Sequence, residues 1–299
     1  MPEPLDDRRP QTFAAFLGCC AIWGSTFLVI RIGNDALPPL WAASLRLMLA
    51  APILIAITKL TGHSLPRGAA LRAAAWFGFL NFGLGFCLLY WGETRVPSGL
   101  TAVMYGTIPL AAPLFARMFG IEKLSPLKVA GAVVALGGVV LVFSGQIGGR
   151  LELGPLCAVL GAALLAALSG VLLRRGPAQS AFGANAVAAT VGLAVCLAGT
   201  FLAREPHALP ATRAAWGPVL YLTAAGSIVA FVLYAWLVHR WPVSRSSLIA
   251  VVVPIVAVGL GALVRHERLS PAELGGTALV LLGISLAVAS DGRRGARPH

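Results

Sequence analysis

The sequence predicts an all-α integral membrane protein of ten transmembrane helices, arranged as two inverted five-helix repeats. Three observations carry this. The 299 residues are 58% hydrophobic and 11% charged, with a mean hydropathy of +0.84. A soluble domain carries about a quarter charged residues, so this chain has too few to cover a wetted surface. The apolar residues fall in ten runs, most near the length of about 20 residues that crosses a bilayer. The alternation and turn spacing of an outer-membrane barrel are missing. Finally, the chain repeats itself at an offset of 145 residues. Trp91 falls on Trp236, Arg95 on Arg240, Pro97 on Pro242 and Pro109 on Pro254. Glu122-Lys123-Leu124-Ser125-Pro126 falls on Glu267-Arg268-Leu269-Ser270-Pro271, and Gly131 and Gly138 fall on Gly276 and Gly283. Apolar composition does not reproduce that order of Trp, Arg, Pro, Glu and Ser-Pro.

In chain order the runs are Phe13–Ile30, Leu40–Thr58, Ala69–Tyr90, Gly99–Phe119 and Val129–Phe143, then Leu153–Leu173, Phe182–Leu202, Ala214–Val238, Ser244–Val264 and Ala272–Ala289. Each is closed by helix-ending punctuation. Pro38-Pro39, Pro66, Pro97 and Pro126 separate the first five; Gly176-Pro177, Pro206, Pro210, Pro242 and Pro271 separate the rest. The connections are short, so neighbouring spans are antiparallel. The expected organisation is a tail at 1–12, a first repeat at 13–145, a second at 153–290 and a tail at 291–299. Five spans is an odd number, so the second repeat enters the membrane upside down, about a pseudo-two-fold axis in the membrane plane. The earlier spans match more loosely at an offset of 144, with Ser25 on Ser169, Arg31 on Arg175 and Tyr90 on Tyr234.

The net charge of +12 would suggest nucleic acid in a soluble protein. Here Lys and Arg sit between and at the ends of the runs, where they set topology and meet anionic headgroups. Nucleic acid is therefore excluded as a partner. Call the side where the first run begins side one. It gathers Arg8, Arg9, Lys59, Arg117, Lys123, Arg174 and others; side two holds Arg31, Arg95, Arg150, Arg204, Arg213, Arg265 and Arg268. The excess is about two to one, which puts both termini in the cytoplasm. The five cysteines lie inside apolar runs with no CxxC, and the five histidines are scattered. No metal site and no cofactor is expected. Arg8-Arg9 before an apolar run imitates a signal peptide, but no small-x-small cleavage site follows.

Several stretches resemble one family. Trp23-Gly24-Ser25-Thr26-Phe27, Ser44-Leu45-Arg46 and the two Glu-basic-Leu-Ser-Pro junctions, Glu122–Pro126 and Glu267–Pro271, stand in the order of the drug/metabolite transporter superfamily, EamA branch. The resemblance implies a ten-helix basket with cytoplasmic termini in the bacterial inner membrane. It implies a central cavity lined by spans one, three, four, six, eight and nine, with span two mostly outside. It also implies alternating-access transport, often export of amino acids or related metabolites. The expected partners are a small-molecule substrate and the lipid bilayer.

Candidate residues follow from what a cavity for a small amphipathic molecule needs, a few convergent polar groups on apolar walls. They are Trp23, Ser25 and Thr26 in span one, Asn81 and Tyr90 in span three, and Met104 and Tyr105 in span four. Ser169, Ser227 and Tyr234 answer them in the second repeat. For each, the competing reading is a Ser or Thr bonded to its own helix, or an aromatic in the interfacial belt. Pro109 and Pro254 free a backbone carbonyl at mid-span and are expected to kink or hinge spans four and nine. Arg46 is an intramembrane charge. The favoured reading is structural, bonded to carbonyls at helix ends; the other is an anchor for a substrate carboxylate. No carboxylate is assigned to a span interior, Asp35 and Glu93 being read at outer ends and Glu122, Glu267 and Glu273 at junctions, so no proton carrier is named.

An exporter of amino acids or related metabolites is the leading expectation. A multidrug or toxic-compound exporter is the nearest alternative, although cationic drugs call for a buried carboxylate. A membrane-embedded enzyme is remote, because HExxH, GxSxG and paired intramembrane carboxylates are all missing. A receptor or scaffold would call for long loops or appended domains, and none is present.

Overall fold

A computed structural model describes residues 10–121, 125–144, 152–238, 240–241, 246 and 248–295. The described residues form helices and no strands. Glu122, Lys123 and Leu124 of the first junction, and Pro242 of the repeat, lie outside them.

Nine helices among the described residues are long and apolar enough to cross a membrane. They are spans one (Pro10–Asn34), two (Pro39–Leu60), three (Gly68–Gly92), four (Ser98–Met118) and five (Pro126–Ser144), then six (Leu153–Arg175), seven (Ala181–Leu202), eight (Ala215–Tyr234) and ten (Pro271–Ala289). Span nine, Ile249–Arg265, is a shorter apolar helix. Two boundaries move. Span one begins at Pro10, and the last helix runs to Gly295, into the stretch expected as a tail. Pro at a helix start loses no bond the helix would have made.

Three spans are not regular, which the apolar runs did not reveal. Span three contains a π-helical segment at Gly78–Gly85, and span eight contains one at Leu222–Val229. These two segments coincide at the 144-residue offset. A π turn leaves carbonyls off the α ladder, and side chains collect them. Cys196 donates its thiol to Phe82 O at 3.4 Å, and Ser227 donates to Leu222 O at 3.1 Å. Span four is broken into Ser98–Tyr105 and Ile108–Met118, with Pro109 opening the second piece. Thr107 Oγ1 donates to Met104 O at 2.6 Å across the break. Pro254 sits inside the continuous helix of span nine.

Spans five and ten lie against each other through their glycines. A Cβ added to Gly131 would stand 2.5 Å from Gly283 O, and one on Gly138 would stand 2.6 Å from Gly276 O. Gly131 is the repeat equivalent of Gly276, and Gly138 of Gly283. Each glycine thus packs on the equivalent of the other, in antiparallel helices, which is the mark of a two-fold axis crossing between them.

On side two, carboxylates of the second repeat cap helices of the first. Glu205 accepts from Leu40 N at 3.2 Å and Trp41 N at 2.8 Å at the start of span two. Glu267 accepts from Ser98 N at 3.2 Å and Gly99 N at 3.3 Å at the start of span four. A negative charge at a helix N-terminus is favourable. Asp35 and Arg265 form an ion pair beside them.

Candidate functional site

A cavity of about 490 Å³ lies between the two repeats, within the range of small-molecule sites. Its wall takes Trp23, Thr26 and Phe27 from span one, and Asn81, Phe82, Phe86 and Leu89 from span three. Span four gives Ala102, Tyr105, Gly106, Ile108 and Pro109, and span six gives Ala166. The second repeat adds Gly226, Phe231, Tyr234, Ser246, Ile249, Ala250, Val253 and Pro254. By position along their helices, the first-repeat residues run from mid-depth toward side two, as Phe86 and Leu89 do in span three and Ala102 and Tyr105 in span four, and the second-repeat residues Phe231, Tyr234, Ile249 and Ala250 run toward side one. Side two above them is occupied by the carboxylate-capped helix ends.

Close approach of the two repeats depends on glycine at a few points. A Cβ on Gly24 would stand 2.6 Å from Val256 Cγ1, and one on Gly99 would stand 2.9 Å from Val258 Cα. Spans one and four therefore pack tightly on span nine above the cavity. At Gly106 a Cβ would lie 3.3 Å from Pro254 Cγ, so the break in span four faces the proline of its counterpart.

Arg46 of span two is on the wall, although the resemblance leaves span two outside. It is 5% exposed. It does not reach carbonyls at helix ends. Its Nε donates to Ser227 Oγ at 3.0 Å and its Nη1 to Tyr90 OH at 3.4 Å. Its guanidinium lies 4.8 Å from the centre of the Phe86 ring. Gly226, in the π turn of span eight, lies beside it, where a Cβ would stand 3.4 Å from Arg46 Nη2, an ordinary contact distance. Among the described residues no carboxylate pairs with Arg46.

The other candidates divide. Trp23, Thr26, Asn81, Tyr105 and Tyr234 line the cavity together with Pro109 and Pro254. Thr26 is turned to its own helix, donating to Ile22 O. Trp23 packs on Phe231 and Tyr234 at 5.9 and 5.3 Å between ring centres. Tyr90 and Ser227 stand behind the wall as the partners of Arg46. Ser25 does not line it: its hydroxyl contacts Tyr221 OH at 2.7 Å and the carbonyls of Ala21 and Ile22. Ser169 is fully buried and donates to Ala166 O. Met104 is buried with Val96, Leu100, Val142, Leu156 and Val159. It points to that cluster because the one-residue phase between Met104 and Tyr105 turns them to different faces of the helix.

Sequence reasoning missed one buried group. Glu93, assigned to an outer helix end, has no exposure at all. Gly92 explains this. A Cβ there would stand 2.6 Å from Val159 Cγ2 and 3.0 Å from Pro155 O, so span six packs directly over the end of span three. A glycine beside a glutamate at a helix end was the available signal.

Known proteins resemble this chain over nearly its full length. The uncharacterized inner membrane transporter YedA of Escherichia coli (strain K12) is 33% identical over 267 residues, covering 87% of this chain and 85% of its own. A protein of Salmonella typhimurium named "Probable amino-acid metabolite efflux pump" is 23% identical over 296 residues, covering 94% and 95%. A crystal structure 20% identical to the chain superposes with a TM-score of 0.61 over 96% of this chain and 99% of that one, which carries the fold alone. The model of the EamA-like transporter family matches twice, at residues 12–144 and 153–289, once for each five-span repeat. On those two matches, the ten apolar helices and the repeat glycines between spans five and ten, the chain belongs to the EamA-like transporter family.

Proposed function

We propose that the protein is a bacterial inner-membrane exporter of amino acids or related small carboxylates, working by alternating access through the cavity between its repeats, with both termini cytoplasmic. The observation that carries this is Arg46. It is a buried cation on a cavity wall inside the membrane, with no carboxylate partner among the described residues. Such a charge is costly unless a partner arrives. A substrate carboxylate supplies one, and guanidinium matches its two oxygens. The aromatic faces of Trp23, Phe27, Phe86, Tyr105 and Phe231 suit an apolar side chain beyond the carboxylate. Asn81 lines the same cavity and makes no hydrogen bond among the described residues, so its amide is free for an amino or carbonyl group. A single cation suits one carboxylate and not a phosphate, which takes several basic groups. The amino-acid metabolite efflux named for one relative is of the same chemical class.

The test is flux from liposomes carrying the purified protein, across a panel of labelled amino acids and hydrophobic organic cations. Flux of one or more amino acids with apolar side chains is the expected result. Flux of the cations alone would replace this reading with the multidrug one.

A further inference from the structure

Glu93 is a carboxylate with nowhere to put a charge. It follows the last residue of span three, on side two. It is 0% exposed, and neither of its oxygens accepts a hydrogen bond among the described residues. The groups that act on it come from every side. Arg31 reaches it from span one, Glu267 from the connection between spans nine and ten, and Thr101 from span four. The Thr101 hydroxyl, which donates to Pro97 O at 3.2 Å, lies close enough to Glu93 to favour the charged form weakly. Arg31 is committed: its Nη1 lies 2.6 Å from Val96 O and 3.5 Å from Glu267 Oε1. One guanidinium thus faces two carboxylates, and Glu267 holds it while also taking the Ser98 hydroxyl at 3.0 Å and two backbone N–H groups. A charged Glu93 would be the second, unmatched negative charge in a sealed site. Burial pushes the Glu93 carboxyl well above its ordinary range, with Arg31 pulling down and Glu267 pushing up.

The same residue is tied to the cavity through its helix: Glu93 N donates to Leu89 O at 2.9 Å, and Leu89 lines the cavity. Tyr105 lines the cavity, and Tyr90 touches Arg46.

We propose that Glu93 is a proton-binding site of the transport cycle, and that its proton holds the side-two helix ends together. The transport role rests on the alternating-access reading above; the proton linkage is tested without any substrate. When the Oε–H bond breaks and the proton passes to water, the bare carboxylate needs solvent. Separation of spans one, three, four and nine at side two provides it. Closed, the carboxyl stays protonated above its ordinary value; open and hydrated, it returns toward that value of 4.5. Closure is therefore fully favoured below the ordinary value and is lost as pH rises toward the closed-state value. Across that window the opening constant grows about tenfold per pH unit, one proton being released per opening.

The experiment is hydrogen–deuterium exchange on the full chain in lipid nanodiscs, from about pH 5 upward, with rates corrected for intrinsic base catalysis. In the wild type, amides of residues 93–101 and 262–270 are expected to lose protection about tenfold per pH unit. Glu93→Gln, a fixed neutral mimic, is expected to keep the low-pH protection throughout. Glu93→Asp is expected to retain the step at a displaced midpoint, and it serves where the Gln variant does not fold. A wild type with no pH step overturns the proposal. So does a Gln variant that keeps the wild-type step, or an Asp variant whose midpoint does not move. Failure of the amino-acid flux panel leaves this readout untouched, so the two readings fail separately.

Discussion

Arg46 and Glu93 carry the chemistry of this molecule, and they were legible to different degrees. An arginine inside an apolar run is visible in any reading of the sequence. Its partners are not, because Ser227 and Tyr90 stand 181 and 44 residues away. Glu93 reads as a wetted helix end beside Trp91 and Arg95, both of which are exposed. It is buried by tertiary packing, span six closing over Gly92 while Arg31, Thr101 and Glu267 stand around the carboxyl. Glu267 was legible as a repeated junction residue, but not as the cap of span four. Its carboxylate serves two backbone N–H groups, the Ser98 hydroxyl and Arg31 at once. Glu267→Ala is expected to cost about 2 kcal/mol, the range of a charged cap and its partners. A lower thermal midpoint in detergent would register it; an unchanged midpoint would mean the cap contributes nothing.

Helix existence was legible at the level of the element, and helix irregularity was not. Length and apolarity place the ten spans, because a bilayer leaves few other solutions. The π segments of spans three and eight have no composition of their own. Their glycines and small residues pack on neighbours: a Cβ on Gly78 would stand 2.5 Å from Ala188 Cα. That is a tertiary cause, invisible to a one-dimensional pattern. The prolines were legible as equivalents, yet the structure uses them differently. Pro109 opens the second half of a broken helix, whereas Pro254 lies inside a continuous one. We propose that the Gly106–Thr107 break with Pro109 is the hinge of span four. Pro109→Ala restores a backbone donor and is expected to stiffen it. Amino-acid counterflow should slow several-fold in a variant that remains folded and monodisperse. A wild-type counterflow rate would remove the hinge.

The inverted repeat of the whole molecule was the most legible feature. It rests on identical residues at a fixed offset and on the parity of five, neither of which depends on fine packing. The glycine exchange between spans five and ten expresses the same symmetry in three dimensions. What the sequence could not supply was the composition of the cavity wall. Spans two and eight meet there through the Arg46–Ser227 hydrogen bond, which joins residues 181 apart in the chain. If a carboxylate-bearing substrate crosses between the repeats on Arg46, as proposed, transport depends on that guanidinium. Flux of an amino acid that the wild type transports should be measured with Arg46→Ala and Arg46→Lys in liposomes. The alanine variant, checked as folded and monodisperse, is expected to lose at least about tenfold in flux, the equivalent of one charge-assisted contact. Lysine, which keeps the charge but not the paired donors, is expected to fall between. A folded alanine variant that transports at the wild-type rate would contradict the account.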